Sequence, residues 1–413
     1  MIVRPFRALR PRPELAAKVA SPPYDVLSSD EAREQVKANP LSFLRVNKPE
    51  VDFSSDVKPG TAQVQLQGKK NLERMIAEGI FCQESTACFY IYRLTWQNQS
   101  QTGIVATSSV EEYEKGLIRK HERTRPAKVS DRADHIETVG AQVGPVFSIY
   151  RHNDAIQSLV LRILTAPPTY DFDSEDGVRH EAWIVSDPLL IKSLSREFDA
   201  VPELYIADGH HRSEAASEVR RRQISSNPDH NGHEGYNYFL NVIFPDNELR
   251  ILPYNRVVKG LNYLTSSEFL SRLKQKVMVK ASNDPVMPDR IGVIGMFLGS
   301  TWYRLELPAN RKTGLGPADA IDSAILTSDI LGPVLGIGDI RTDDRIDFVG
   351  GIRGLGELEK LVKSGQYDVA FALHAVSVGE LLDVAEAGQV MPPKSTWFEP
   401  KLRSGLFIHK LDD

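Results

Sequence analysis

The apolar run Glu203-Leu204-Tyr205-Ile206-Ala207 leads without a linker into Asp208-Gly209-His210-His211-Arg212, and a helical pattern follows over 213–223. A strand that passes through glycine directly into a helix constrains this chain more than any other feature. The first backbone N–H groups of a helix have no partners within it, and the aligned peptide dipoles put partial positive charge at that end. Glycine lets the backbone approach a ligand closely, so the junction is an anion site best matched by phosphate. Arg212 offers a planar fork of donors, His211 and Ser213 offer further ones, and Asp208 can orient a histidine or hold a metal ion. Ala215 and Ala216 are small enough to let the helix pack closely on a sheet. A plain turn with its polar residues exposed is the alternative. Three donor-rich residues in succession at such a junction favour the anion site.

Length and composition set the frame. A chain of 413 residues is expected to make two or three folded units. Lys and Arg number 50 against 55 Asp and Glu, a net charge of -5, with 41% hydrophobic and 25% charged residues. These are globular proportions, and they argue against disorder, a collagen-like fibre and non-specific nucleic-acid binding. Two cysteines, Cys82 and Cys88, cannot form a disulfide framework and lack zinc-knuckle spacing, which fits a reduced, cytoplasmic protein. No window has the 18 or so apolar residues of a membrane span, and the proline- and arginine-bearing N-terminus is unlike a signal peptide.

Periodicity predicts helices over 61–79, 153–165 and 187–198, a hairpin of strands over 87–95 and 103–110, and strands over 143–150, 236–244 and 250–258. The last third is expected to hold a helix over 269–277, a hairpin over 292–298 and 302–307 and a further helix over 318–331. Strands over 346–349, 369–373 and 406–411 then alternate with helices over 355–362 and 378–387. Such alternation implies a sheet with crossover helices. The fold class is therefore mixed α/β, with a boundary between two units near residue 250.

Between 111 and 137 the chain is densely charged. Arg119-Lys120-His121-Glu122-Arg123-Thr124-Arg125-Pro126 continues through Lys128, Asp131, Arg132 and His135. Pro126 is expected to break any helix and Ser130 to cap a new one, on which Asp131 and His135, four apart, share a face. Lys120, Arg123, Arg125, Lys128 and Arg132 fit phosphate oxygens, and Glu122 fits a metal ion or a general base. A solvated surface of mixed charge explains the segment equally well. Ser21-Pro22-Pro23-Tyr24-Asp25-Val26 fixes Asp25 on a stiff loop just before a helix, where it can reach a hydroxyl or amine, although rigidity alone accounts for the prolines. Met391-Pro392-Pro393-Lys394-Ser395-Thr396 is similar to a phosphate or carboxylate loop with Lys394 as donor, but has no Walker A glycines.

The segment Asp208 to Arg212, followed by Ser213-Glu214-Ala215-Ala216, resembles the phosphate-binding motif of the ParB/sulfiredoxin superfamily, whose members include free-serine kinases. His210 stands where sulfiredoxin has its reactive cysteine, so that chemistry is lost. The four segments beginning at Ser21, Lys120, Ala207 and Met391 are similar to the uncharacterised family called domain of unknown function 1015. The resemblance implies a ParB/sulfiredoxin-like phosphate- or nucleotide-binding domain over 1–250 and a C-terminal α/β domain over 251–413. It further implies His211 and Arg212 on nucleotide phosphates.

Three functions compete. The first is a nucleotide-dependent, serine-kinase-like small-molecule phosphotransferase using ATP or ADP and Mg²⁺. In it Asp208, Gly209, His211, Arg212, Ser213, Lys120, Arg123, Arg125, Lys128, Arg132 and Lys394 bind phosphate. Glu122, Asp25 and His210 do the chemistry, and Asp208 and Glu122 hold the metal. The second is a nucleotide-gated regulatory protein, and the third a metal-dependent hydrolase on His121, Glu122, Asp208, His210 and His211. The expected partner is a small molecule, an amino acid or alcohol, with a homodimer left open and no membrane or nucleic acid.

Overall fold

A computed structural model describes residues 1–412. The chain divides into two compact units: Met1–Leu249 with the chain from Pro400 onward, and Arg250–Glu399. In the first unit, β1 (Val3–Arg4), β2 (Phe89–Trp96), β3 (Gln99–Ser109), β4 (Ile118–Arg119), β5 (Val146–Tyr150), β6 (Tyr170–Asp173), β7 (Arg179–Val185), β8 (Leu204–Asp208) and β9 (Tyr238–Pro245) form one mixed sheet. Their order is β4-β8-β5-β9-β3-β2-β7-β6, with β1 added on β3. The pairs β8–β4 and β9–β5 are parallel, and the remaining neighbours run antiparallel.

Expected strands and observed ones differ in the hairpin. The polar residues after Trp96 continue the ladder, Trp96 pairing with Gln99, and only Gln97 and Asn98 turn, at φ 48° and 63°. A two-residue turn with both φ positive matches the natural twist of the strands, so polar residues at an exposed end of the hairpin are still strand.

Helices α1 (Ser29–Ala38), α2 (Ala62–Ala77), α3 (Pro126–Val139), α4 (Asp154–Ile163), α5 (Pro188–Asp199) and α6 (His210–Ser226) are the longer helices of the unit. Asn153 and Asp187 cap α4 and α5, whose apolar stripes place Ile156, Val160, Leu194 and Phe198 in one core with Ile91, Ile104, Ile206 and Ile243. Pro126 opens α3 rather than breaking a helix, and Ser130 lies inside it rather than capping it. Proline at the first helical position loses no hydrogen bond, because that N–H would have no partner anyway. Asp131 and His135 do share a face: Asp131 accepts from Gln65 at 3.0 Å and His135 Nε2 donates to the Val46 carbonyl at 2.8 Å.

The end of the chain returns to this unit. Ser404 pairs with Ser21 and Ile408 with Leu9, and Arg403 forms an ion pair with Asp176. The strand expected over 406–411 shrinks to His409–Lys410, which meets Ala141–Gln142.

The second unit is a six-stranded antiparallel sheet of β10 (Tyr254–Val258), β11 (Met278–Ser282), β12 (Val293–Leu298), β13 (Thr301–Glu306), β14 (Ile346–Gly350) and β15 (Val369–Leu373). The order is β11-β13-β12-β15-β10-β14. Helices α7 (Ser266–Lys274), α8 (Gly354–Lys363) and α9 (Val378–Glu386) belong to it. The path β14–α8–β15 is a crossover that skips over β10, so alternation along the sequence produces parallel partners separated by an antiparallel strand. Apolar clusters lie on both faces.

The single helix expected over 318–331 is broken into Pro317–Ala320, Asp322–Leu326 and a wider turn at Thr327–Leu331. Ile321 is extended at ψ 147°, and Thr327 and Ser328 donate back to the carbonyls of Ser323 and Ile325, a local competition that widens helices. No helix among the described residues is long and apolar enough to cross a membrane.

Two buried imidazoles make the first unit acid-sensitive. Burial, reinforced by nearby Arg132 and Arg403 respectively, pushes His135 and His180 from 6.5 down to about 3. An unfolded histidine takes up a proton below about 6.5, whereas these do not until about 3. Their contribution to stability is therefore complete above pH 6.5 and is lost as pH falls through that window, by at most about 1.4 kcal/mol per pH unit for each. Urea midpoints measured from pH 7 to 4.5 are expected to fall less steeply for His135→Gln than for the unaltered chain; equal slopes contradict this.

Candidate functional site

The site is built where β8 runs out. Its register against β5 shifts between Ile206 and Asp208, and such a bulge re-aims the chain at the end of a strand. Gly209 follows at φ 98°, where a Cβ would lie 3.3 Å from the Val146 Cα. Helix α6 begins at once, three residues before the expected start, with no side chain capping it. The N–H groups of Arg212 and Ser213 bond back to the Gly209 carbonyl.

His210, His211 and Arg212 are thus the first helical turn, and at about 100° per residue their side chains diverge in three directions. His210 turns inward and is 4% exposed. His211 Nε2 accepts the Arg125 backbone N–H at 3.1 Å, which ties the start of α6 to the start of α3. Arg212 donates to the Pro145 carbonyl at 2.6 Å and holds its second arm 3.7 Å from Asp25. Ser213 is fully buried and donates to the His210 carbonyl, so its hydroxyl serves the helix.

Beneath the turn lies a histidine pair. The rings of His121 and His210 meet edge to face with centroids 4.6 Å apart. Burial pushes His121 down to about 4, and burial together with His121 pushes His210 well below its ordinary value, so both are neutral. His210 Nε2 faces the His121 backbone N–H at 3.5 Å and Nδ1 lies 3.8 Å from Glu122. An acceptor at Nε2 leaves the proton on Nδ1, directed at the Glu122 carboxylate.

On the other side, Tyr24 lies between two guanidinium groups, 4.4 Å from Arg132 and 5.5 Å from Arg212. Burial and the adjacent Asp25 raise its hydroxyl pKa. A narrow pocket of about 30 Å³, lined by Tyr24, Asn47, Arg132, His135, Gly144 and Arg212, admits a water or two and no nucleotide. A larger ligand must lie outside this pocket; of the two carboxylates near the turn, Asp25 beside Arg212 is 45% exposed and Glu122 beside His210 is 41% exposed. Asp208 receives the Lys401 ammonium at 2.8 Å. Burial raises the Asp208 carboxyl, but Lys401 and Arg212 outweigh it and hold the group well below the usual carboxylate range.

The charged segment separates into roles. Lys120 bonds Glu214 at 3.1 Å over the Tyr113 ring, and Arg132 pairs with Asp131. Arg123, Arg125 and Lys128 are exposed. Lys394 belongs to the second unit, its ammonium 5.6 Å from the Tyr254 ring. No group of three or more His, Cys, Asp or Glu suited to a metal ion occurs among the described residues. Asp208 and Glu122 leave a metal dependent on ligands brought by a substrate, which is the usual way Mg²⁺ is held with phosphates. Sequence patterns did not single out Lys401 or Tyr24, or the buried state of His121. Lys401 is 193 residues from its partner, and nothing local marks it.

The family model described as a protein of unknown function (DUF1015) matches residues 3–324, and the chain belongs to that family. No curated protein matches the chain. Among solved structures it is similar to a conserved hypothetical protein from Pyrococcus furiosus, at 14% identity over 73% of this chain and 94% of that one, TM-score 0.35. It is also similar to a free serine kinase in complex with AMP, at 12% identity over 73% and 91%, TM-score 0.37. A third is SbnI with C-terminal truncation from Staphylococcus aureus, at 11% identity over 73% and 85%, TM-score 0.37.

Gly209→Ala places a side chain in the left-handed region and against Val146. It is expected to destabilise the chain by about 1–2 kcal/mol, read as a lower urea midpoint at unchanged slope; an unchanged midpoint contradicts the strained junction.

Proposed function

We propose that this member of the DUF1015 family is a nucleotide-dependent small-molecule phosphotransferase. The observation that carries it is the uncapped start of α6 after Gly209, with the Arg212 guanidinium and the Asp25 carboxylate 3.7 Å apart beside it. Donors and dipole at such a turn suit phosphate, and a carboxylate beside the phosphate site suits deprotonation of an acceptor. The resemblance of Asp208 to Arg212 to the serine-kinase motif points to an amino acid or alcohol as acceptor.

The nucleotide phosphates, from ATP or ADP, would rest on the first turn of α6 and on Arg212, with His211 alongside. Mg²⁺ would be held by those phosphates with Asp208 or Glu122, and would neutralise charge on the transferred group. Asp25, or Glu122 steadied by His210, takes the acceptor hydroxyl proton. The freed oxygen bonds to the terminal phosphorus as the bond from that phosphorus to its bridging oxygen breaks, and the nucleotide leaves one phosphate shorter. Lys401 keeps Asp208 ionised, and Tyr24 keeps the Arg212 side chain in place.

Thermal stabilisation by ATP, ADP, CTP and pyrophosphate, with and without Mg²⁺, is the first test. Arg212→Ala is expected to weaken nucleotide binding about tenfold or more, the usual cost of losing a charge-assisted hydrogen bond. Asp25→Asn is expected to keep that binding and to lower phosphorylation of serine or a related alcohol about 100-fold or more. Nucleotide binding with no transfer to any hydroxyl acceptor would indicate a gated binding protein. Stabilisation by Zn²⁺ alone would indicate a hydrolase.

A further inference from the structure

The second unit carries a charge without a counter-charge. Arg256, in the middle of β10, is 0% exposed. Its terminal nitrogens face the carbonyls of Tyr254 and Pro393, the latter at 3.5 Å, and its guanidinium lies 5.2 Å from the Phe348 ring. Nε has no hydrogen-bond partner, and no carboxylate among the described residues pairs with it. A buried guanidinium normally has an acid or a full set of acceptors, because taking its charge out of water unpaired is costly. Burial pushes Arg256 down to about 10, so it is still charged at neutral pH.

The loop beside it brings a second cation. The loop 391–396 crosses the same region through Pro393. Its Lys394 is exposed, stands at φ 58° and places its ammonium over Tyr254. A cavity of about 10 Å³, large enough for one water, reaches the loop at Ser395 and is lined by Tyr254, Asp322, Ser323, His374 and Glu380, though not by Arg256 itself. His374 Nδ1 is buried there without a partner. The acids nearby are occupied: Asp322 with Lys312 at 2.9 Å and with the Gly292 N–H, Glu380 with the start of α9 through Ser377.

We propose that Arg256 and the loop 391–396 form a binding site for a small oxyanion, a carboxylate or a phosphate, separate from the turn at Gly209. The anion supplies the counter-charge that Arg256 lacks and replaces its long contact with Pro393. Lys394 meets it from the exposed side of the loop, which moves to admit it.

Calorimetric titration of the full chain with inorganic phosphate and with acetate, at ionic strength fixed by sodium chloride, tests this, and the stronger of the two identifies the oxyanion class. Binding is expected in the unaltered chain and in Arg212→Ala, and about tenfold or more weaker when Arg256→Met or Lys394→Ala is added to Arg212→Ala. The second variant alters only an exposed side chain and guards against a folding defect in the first. Binding by the Arg212→Ala chain that survives the addition of both substitutions overturns the proposal, as does no binding of either anion. Loss in Arg212→Ala alone also overturns it while leaving the phosphotransferase proposal intact.

Discussion

A helix that starts with no capping side chain has donors to spare, and the first unit is arranged around that condition at Gly209. Some helices in this chain settle their first N–H groups with capping side chains, as Ser28, Asn153 and Asp187 do, while α2, α3 and α8 share with α6 the lack of one. Helix α6 instead begins on a left-handed glycine, and what surrounds it is a set of charges and imidazoles. The bulge in β8 turns the strand end, glycine removes the Cβ that would meet Val146, and the tight first turn spreads three consecutive side chains around the helix.

Charge around the turn is balanced by residues far apart in the chain. Asp208 is neutralised by Lys401, Arg212 faces Asp25, and Lys120 faces Glu214. Such pairs at partial exposure contribute little to stability. Their effect is on protonation and direction: Asp208 stays ionised and Arg212 stays extended across Tyr24, while burial keeps the two histidines beneath neutral. The return of the chain from Pro400 onward is therefore part of the site, since it delivers Lys401.

Much of this was legible in the sequence where a local pattern determines the outcome. The strand before Asp208, the helix after it and the strand Val369–Leu373 follow from apolar runs bounded by glycine or polar residues. What the pattern missed has physical causes. Pro126 has opposite effects at the start and in the middle of a helix, and only packing decides which applies. The helix expected over 318–331 breaks where Ile321 is extended, and widens where hydroxyls of Thr327 and Ser328 compete for backbone carbonyls. Three donors read together at 210–212 do not point together, because helical geometry separates them. Partners such as Lys401 for Asp208, or the missing partner of Arg256, are tertiary facts with no signature within a local window.

A crystal structure of the chain with ADP and Mg²⁺ is the most direct measurement. The account requires phosphate oxygens within hydrogen-bond distance of the backbone N–H groups at His210 and His211, with the Arg212 fork turned onto them. ADP bound elsewhere in the chain, with the Gly209 turn still filled only by Asp25 and solvent, would contradict it.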